Sequence, residues 1–373
     1  MHLRVFTAFS GYDSQCMALD RLHERDFFFS YDLVGWSEIE ENAIRAHNAL
    51  YPQYADRNFG DISKIDWDEV PDFDLFTYSS PCQDFSAAGR QAGGKEGSGT
   101  RSSLLWECRR AIIAKKPKYL VMENVAALVS SKFVRLFNQW QRELESYGYR
   151  NYAKVLNAKD YGVAQNRERI FMVSILDENA RYEFPQPMRL TKCLRDYLET
   201  EVAERYYLSE ERLAGVLLST EKEAEKGNGF AFKPTDGSGI ANTIQTNFNR
   251  KTDNYIIEGV QIVGNLQPDN LWGGGIRQQN QVIGTRGLSP AITAEHARHE
   301  FKIADGIRIR KLTEREAFRL MDVSETDIDK IQAAKISRSK QIKLAGNSIV
   351  VSVLVHIFDK MFLDTTITEP TLF

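Results

Sequence analysis

The sequence predicts an α/β protein: a doubly wound, Rossmann-like sheet with a smaller, mostly β or irregular domain attached. Three observations lead there. Short apolar runs alternate with helix-patterned stretches through residues 1–187. The first of them, Leu3–Phe9, runs into the small-residue turn Ser10-Gly11-Tyr12-Asp13-Ser14 and then a helical stretch, Gln15–Leu22. Strand, small-residue turn and helix bring a nucleotide-like ligand to a helix N-terminus. From Gly227 to Ile309 the composition turns to Gly, Asn, Gln, Thr and Ile, which calls for short strands and turns.

The elements follow in order. Tyr31–Trp36 reads as a second strand ending in Ser37-Glu38, ahead of the helix Glu40–Leu50. A carboxylate there, about twenty to thirty residues past the first turn, can hold ribose hydroxyls or simply cap the helix. Gly60-Asp61-Ile62-Ser63 is a turn with a carboxylate. Asp74–Tyr78, between Pro71 and Pro81, reads as a buried strand. Pro81 cannot continue a central strand, so Cys82 sits on a stiff turn at its carboxyl end. A thiol placed there is either a nucleophile or a small buried hydrophobe. Gly89–Thr100 carries five glycines and reads as a lid or as a plain connector.

Arg101–Lys115 reads as a helix stopped before Pro117, and Tyr119–Val125 as the next strand. Glu123 lies where that strand gives out, on the rim of Cys82, as a helix cap or a catalytic acid. Ser131–Tyr147 is an amphipathic helix with Phe133, Leu136, Phe137, Trp140 and Leu144 on its core face. Lys154–Asn157 and Ile170–Ile175 form a strand pair, joined by Gln165-Asn166-Arg167-Glu168-Arg169. Two arginines entering a buried strand need partners. The first domain ends near Pro187, Leu190–Lys226 is charged and helix-like, and residues 188–308 form the second domain. In 309–373 the character changes again: Thr313 is an N-cap with Glu316 as its box partner, and Gly346-Asn347-Ser348 precedes an apolar helix, Ile349–Met361.

Composition narrows the function classes. The 373 residues carry a net charge of −3, which is not that of a bulk polycation binder. Between Gly227 and Lys311 there are ten Lys/Arg against seven Asp/Glu, a slight basic lean. The four cysteines (Cys16, Cys82, Cys108, Cys193) have no C-x-x-C spacing, so neither zinc nor a disulfide framework is expected, and a reducing cytoplasm fits. The N-terminus has no signal-peptide layout, and no apolar run is long enough to span a bilayer.

The order of these motifs resembles the DNA (cytosine-5) methyltransferase family over nearly the whole chain. The carriers are Phe6–Gly11, Glu38, Asp61, Pro81-Cys82-Gln83, Glu123-Asn124-Val125, Gln165-x-Arg167-x-Arg169, Arg310-Lys311-Leu312 with Glu316, and Gly346-Asn347-Ser348. The resemblance implies S-adenosylmethionine as cofactor, S-adenosylhomocysteine as product and no metal. It implies that Cys82 attacks carbon 6 of a cytosine, Glu123 holds the base edge at N3, Arg169 contacts the base carbonyl and Arg167 helps place the pair. Phe6, Ser10, Gly11, Glu38, Ile39, Asp61, Ile62, Pro81, Asn347 and Ser348 match the cofactor-binding positions. Ala8 and Ser10 replace two glycines of the family's first motif, and both are small. Gln83, Ser86, Arg277, Arg286, Thr293 and Arg298 are expected to face DNA.

Residues 188–308 would then be the target-recognition domain, and 309–373 would return to complete the catalytic domain. The partners implied are double-stranded DNA and a cognate restriction endonuclease, with no membrane, for a monomeric bacterial or phage-encoded protein of the cytoplasm. Two rivals share the scaffold. A tRNA cytosine methyltransferase would carry a Cys-Phe-Thr signature in the recognition region, whereas no cysteine follows Cys193. A non-catalytic relative should have lost Cys82, Glu123 or Arg169, and all three are present.

Overall fold

The computed structural model describes residues 1–81, 101–209, 211–216, 232–246, 253–258, 261–265, 281–284 and 308–363. Its centre is a six-stranded sheet in the order β2-β1-β3-β4-β7-β5. The strands are β1 (His2–Ala8), β2 (Ser30–Ser37), β3 (Leu75–Tyr78), β4 (Tyr119–Val125), β5 (Arg150–Asn157) and β7 (Glu168–Ile175). The first four pair in parallel. β7 runs antiparallel to both β4 and β5, so the expected Lys154–Asn157 and Ile170–Ile175 pair closes one edge of the sheet.

Alternation along each strand sends side chains to two cores. On β3, β4 and β7, Leu75, Val121, Phe171 and Val173 enter one face. Phe76, Tyr78, Leu120, Met122, Ile170 and Met172 enter the other. The first face is covered by α1 (Ser14–Arg25) and by α9 (Val351–Phe362), whose Phe362 packs on Phe29 and Tyr119. The second is covered by α3 (Cys108–Lys115) and α4 (Val134–Ser146). The aromatic face expected of α4 is there: Phe137, Trp140 and Leu144 are buried, and Trp106 meets Trp140 edge to face. Between β2 and β3 lies α2 (Glu41–Leu50), with Glu40 accepting from the Ala43 N–H as its cap.

Between β7 and residue 258 the described residues are mostly irregular. The helix-like reading of Leu190–Lys226 gives way, in its described part, to single turns at Leu194–Tyr197 and Glu204–Tyr206 and a short α5 over residues 211–216. The strap is held by long-range contacts instead. The Arg319 guanidinium donates to the Tyr197 carbonyl, and the Glu199 N–H donates to Glu316. The short strands expected after Gly227 are present as β8 (Ala241–Asn242), β9 (Tyr255–Glu258), β10 (Gln261–Asn265) and β11 (Gln281–Gly284). β8 pairs with β6 (Gln165–Asn166), and β9 pairs antiparallel with β12 (Arg308–Lys311).

The tail forms α6 (Glu314–Arg319), α7 (Glu325–Ala333), α8 (Arg338–Asn347) and α9. The expected capping box at Thr313 and Glu316 is formed. One reading of the sequence needs correction. Arg338–Phe362 is, at 25 residues, long and apolar enough to cross a membrane by length and composition. It is divided at Ser348, and 72 % of its most apolar window is buried inside the fold, which is the pattern of a core helix.

Candidate active site

The strand order places β1 between β2 and β3, with the chain passing outward in both directions from there. The carboxyl ends of β1 and β3 therefore flank a topological switch point, where open α/β sheets bind ligands. β3 ends at Tyr78, whose hydroxyl accepts from Trp140 Nε1 at 3.1 Å. Ser80 follows, 3 % exposed, and the Asn124 amide donates to its carbonyl at 3.1 Å and its hydroxyl at 3.3 Å. Asn124 thus ties the Ser80-Pro81 turn to the end of β4, a role the sequence reading had not given it. Cys82, Gln83, Ser86 and the glycine-rich Gly89–Thr100 lie outside the described residues.

The β3–β4 register sets Met122 opposite Tyr78, so Glu123 emerges on the same edge as Pro81. Glu123 is 8 % exposed, and its carboxylate lies 3.1 Å from Arg169 Nε. Val125 opposite Arg169 in the β4–β7 ladder brings the two side chains to one end. Burial pushes the Glu123 carboxyl above its ordinary value, against the pull of Arg169 and, at longer range, Arg167. Burial and ion pairing thus oppose each other at this carboxyl.

Arg167 is placed differently. It is 3 % exposed and donates to the carbonyls of Ile244, Gly346 and Ser348, at 3.3, 2.9 and 2.7 Å. Its guanidinium thus binds main chain of two segments, 244 and 346–348, and it acts on Glu123 through charge. Gln165 grips the same segment, accepting from the Ile244 N–H at 3.0 Å and donating to the Leu320 carbonyl at 2.6 Å.

On the β1 side the loop after Ala8 is sharply bent: Phe9, Gly11 and Asp13 have φ of 55°, 60° and 69°. Asp13 closes the bend by accepting from Thr7 Oγ1 at 2.8 Å and from the Cys16 N–H at 3.1 Å. Glu38, at the end of β2, accepts from the N–H groups of Gly11, Ile39 and Glu40 at 3.1, 2.7 and 2.8 Å. Ile39 beside it is 70 % exposed. A Cβ built on Gly11 or on Gly60 would meet nothing within 4 Å, so both face open space. Asp61 caps the turn Ile62–Lys64 through Ser63, which holds its carboxyl below the usual range, and Ile62 is buried.

Phe6 is fully buried among Phe59, Trp67, Phe73 and Phe76 and forms the floor of this region. A Cβ at Gly35 would lie 2.7 Å from the Phe6 ring and 2.8 Å from Phe59, so glycine is required behind that floor. The Ser348 and Ser14 hydroxyls are hydrogen-bonded, joining the tail to the first turn of α1, while Asn347 ends α8. A small-residue loop, an open carboxylate edge and an exposed apolar side chain suit a nucleoside with a flexible chain. Of the residues expected to read DNA, Arg277, Arg286, Thr293 and Arg298 lie outside the described residues.

The sheet order and the Glu123–Arg169 pair at its carboxyl edge are the features against which known proteins can be compared. The chain belongs to the C-5 cytosine-specific DNA methylase family, whose model matches residues 3–363. It is 33 % identical over 411 aligned residues to the Type II methyltransferase M2.ScrFI of Lactococcus lactis subsp. cremoris, covering 96 % of this chain and 99 % of that protein. It is also 33 % identical over 332 residues to the orphan methyltransferase M.SssI of Spiroplasma monobiae, covering 87 % of this chain and 75 % of that one. Among solved structures it is similar in fold to the Dnmt2 methyltransferase of S. pombe, with a TM-score of 0.66 at 18 % identity over 98 % of this chain and all (100 %) of that one.

Proposed function

We propose that this protein methylates carbon 5 of a cytosine flipped out of double-stranded DNA, through a transient bond between the Cys82 sulfur and carbon 6. The observation that carries the reading is the Glu123–Arg169 pair, 3.1 Å apart on the edge to which Asn124 ties the Ser80-Pro81 turn, the residues that precede Cys82 in the sequence. When bound, S-adenosylmethionine supplies an electrophilic methyl group. Ser10, Gly11, Glu38, Ile39, Asp61, Ile62, Pro81, Asn347 and Ser348 would hold it, with Phe6 supporting them from below.

The chain's own residues then divide the work. Carbon 5 of cytosine is a poor nucleophile, and addition of the Cys82 thiolate at carbon 6 moves electron density toward it. Negative charge builds toward N3, where the proton kept by Glu123 meets it. Arg169 balances charge at the base carbonyl and fixes the carboxyl. Transfer of the carbon 5 proton to a solvent base expels the Cys82 thiolate, and return of the N3 proton to Glu123 restores the neutral ring. The reacting face is hidden inside a duplex, so the base must leave the stack. Residues 188–308 would read the base edges, with Arg277, Arg286, Thr293, Arg298, Gln83 and Ser86 as the DNA-facing set.

This assigns the activity of a DNA (cytosine-5-)-methyltransferase of the bacterial cytoplasm, free-standing or paired with a cognate endonuclease. The test is a gel-shift for a covalent complex on duplex DNA containing 5-fluorocytosine, alongside methyl transfer by Cys82→Ser. The wild-type protein is expected to form the complex and Cys82→Ser to lose both activities while still binding DNA. Normal turnover by Cys82→Ser would overturn the covalent scheme.

A further inference from the structure

Arg167 stands where three parts of the chain meet. Its guanidinium bridges the carbonyl of Ile244 to those of Gly346 and Ser348. The segment that carries Ile244 is fastened at neighbouring points too: Thr243 Oγ1 donates to the Asn166 carbonyl at 2.6 Å, and the Ile244 N–H donates to Gln165. The approach is close. A Cβ on Gly346 would fall 2.8 Å from the carbonyl carbon and oxygen of Gln245 and from the Thr246 nitrogen, all of them backbone. On the far side, Ser348 bonds Ser14, in the first turn of α1 and just beyond the Ser10-Gly11 bend. A continuous run of bonds therefore leads from segment 241–246 through one guanidinium to the cofactor rim.

We infer that Arg167 is a positioning residue that couples the recognition segment to the cofactor pocket: whatever fixes residues 241–246 also fixes Asn347 and Ser348. The side chain suits this task. A guanidinium spreads five N–H donors over a rigid plane and can serve three carbonyls at once, whereas a lysine offers one nitrogen. Arg167→Lys keeps the charge near Glu123 and removes the bridge. Gly346→Ala acts from the opposite side, pushing the Gln245 backbone away without touching the guanidinium.

The inference rests on the functional reading above, and its test separates the two. S-adenosylhomocysteine is titrated calorimetrically into the full chain, alone and with a saturating unmethylated duplex made by amplification. Wild-type protein is expected to bind it about fivefold or more tightly when DNA is present, and DNA more tightly in its presence by the same factor. In Arg167→Lys and in Gly346→Ala that ratio is expected to fall below about twofold. A purely structural Arg167 would lower the melting temperature and leave the ratio alone. An unchanged ratio in a folded variant overturns the inference, as does a ratio of one in wild-type protein that methylates DNA. If Arg167→Lys fails to fold, Gly346→Ala decides. Wild-type protein that neither transfers methyl groups nor binds S-adenosylhomocysteine overturns the functional reading instead.

Discussion

The Glu123–Arg169 pair at the edge of the sheet and the Glu316–Arg310 pair beneath β9 join the same two residue types and differ in how completely each charge is satisfied. Arg310 is fully buried and makes two bonds to Glu316, at 2.8 and 2.9 Å, with further bonds to Glu258 and to the Lys311 carbonyl. Glu316 also accepts from the N–H groups of Thr313 and Glu199, at 2.8 and 2.9 Å. Burial pulls the Arg310 guanidinium down, yet Glu316 and Glu258 outweigh it and hold it above its usual value. Every charge there is spent inside the fold.

Glu123 is different. Among the described residues Arg169 is its one ion-pair partner, and the Arg169 side chain keeps 18 % of its surface exposed. Burial wins at Glu123 where pairing wins at Arg310. A saturated pair joins elements, here β9, β12 and α6. An incompletely satisfied pair at a strand end has capacity left for a third group, which in the proposed reaction is the cytosine ring.

This contrast can be broken in four places. The largest effect is expected at Glu123→Gln. It should lower kcat about 10²-fold or more while leaving the fold intact, since the amide still accepts from Arg169 but cannot give up a proton. Single-turnover kinetics and a thermal melt read the two quantities, and a normal kcat with a collapsed melt would make this pair structural as well. Next comes Glu316→Ala, which leaves Arg310 buried without its main partner. The expected loss is about 3–5 kcal/mol in urea unfolding. A loss under about 1 kcal/mol would show that Arg310 is carried by Glu258 alone.

The pH dependence is expected to be smaller, with the rate falling about tenfold per pH unit on its alkaline limb. That limb begins as pH rises through the raised Glu123 value, because the proposed reaction uses the protonated form. The same group binds its proton more tightly folded than unfolded. Its contribution to stability is thus full below the unfolded carboxyl range, roughly pH 4.3, and is lost as pH rises through the folded value. Glu123→Gln should flatten the limb, and a limb that persists unchanged would assign it to another group. The smallest effect is expected at Thr313→Ala, about 1 kcal/mol for a lost N-cap whose Oγ1 accepts from the Glu316 N–H at 3.1 Å.

Local signals in the sequence were enough for the strands of the sheet and for several of its helices. Pro71 and Pro81 bracket β3, the aromatic repeat at Phe137, Trp140 and Leu144 marks a helix face, and Thr313 with Glu316 marks a helix start. Each is a short-range pattern tied to backbone geometry. What stayed hidden depends on partners far away in the chain. Leu190–Tyr206 has helix-like charge spacing but is held by Glu316 and Arg319 of α6 as an extended strap. Arg167 reads as one of two similar arginines, and nothing local says that it faces carbonyls 77 to 181 residues away. Asn124, adjacent to Glu123, could have been suspected of an edge role from that position alone, but Ser80 as its partner could not.

The most direct measurement is the fate of a labelled methyl group. Purified protein is incubated with methyl-labelled S-adenosylmethionine and equal amounts of unmethylated duplex DNA and tRNA, and the modified base is identified by mass spectrometry. The expected result is label in DNA as 5-methylcytosine, within one recurring sequence context and absent from Cys82→Ser. Label in tRNA with none in DNA, or in DNA on any other base, would contradict the account.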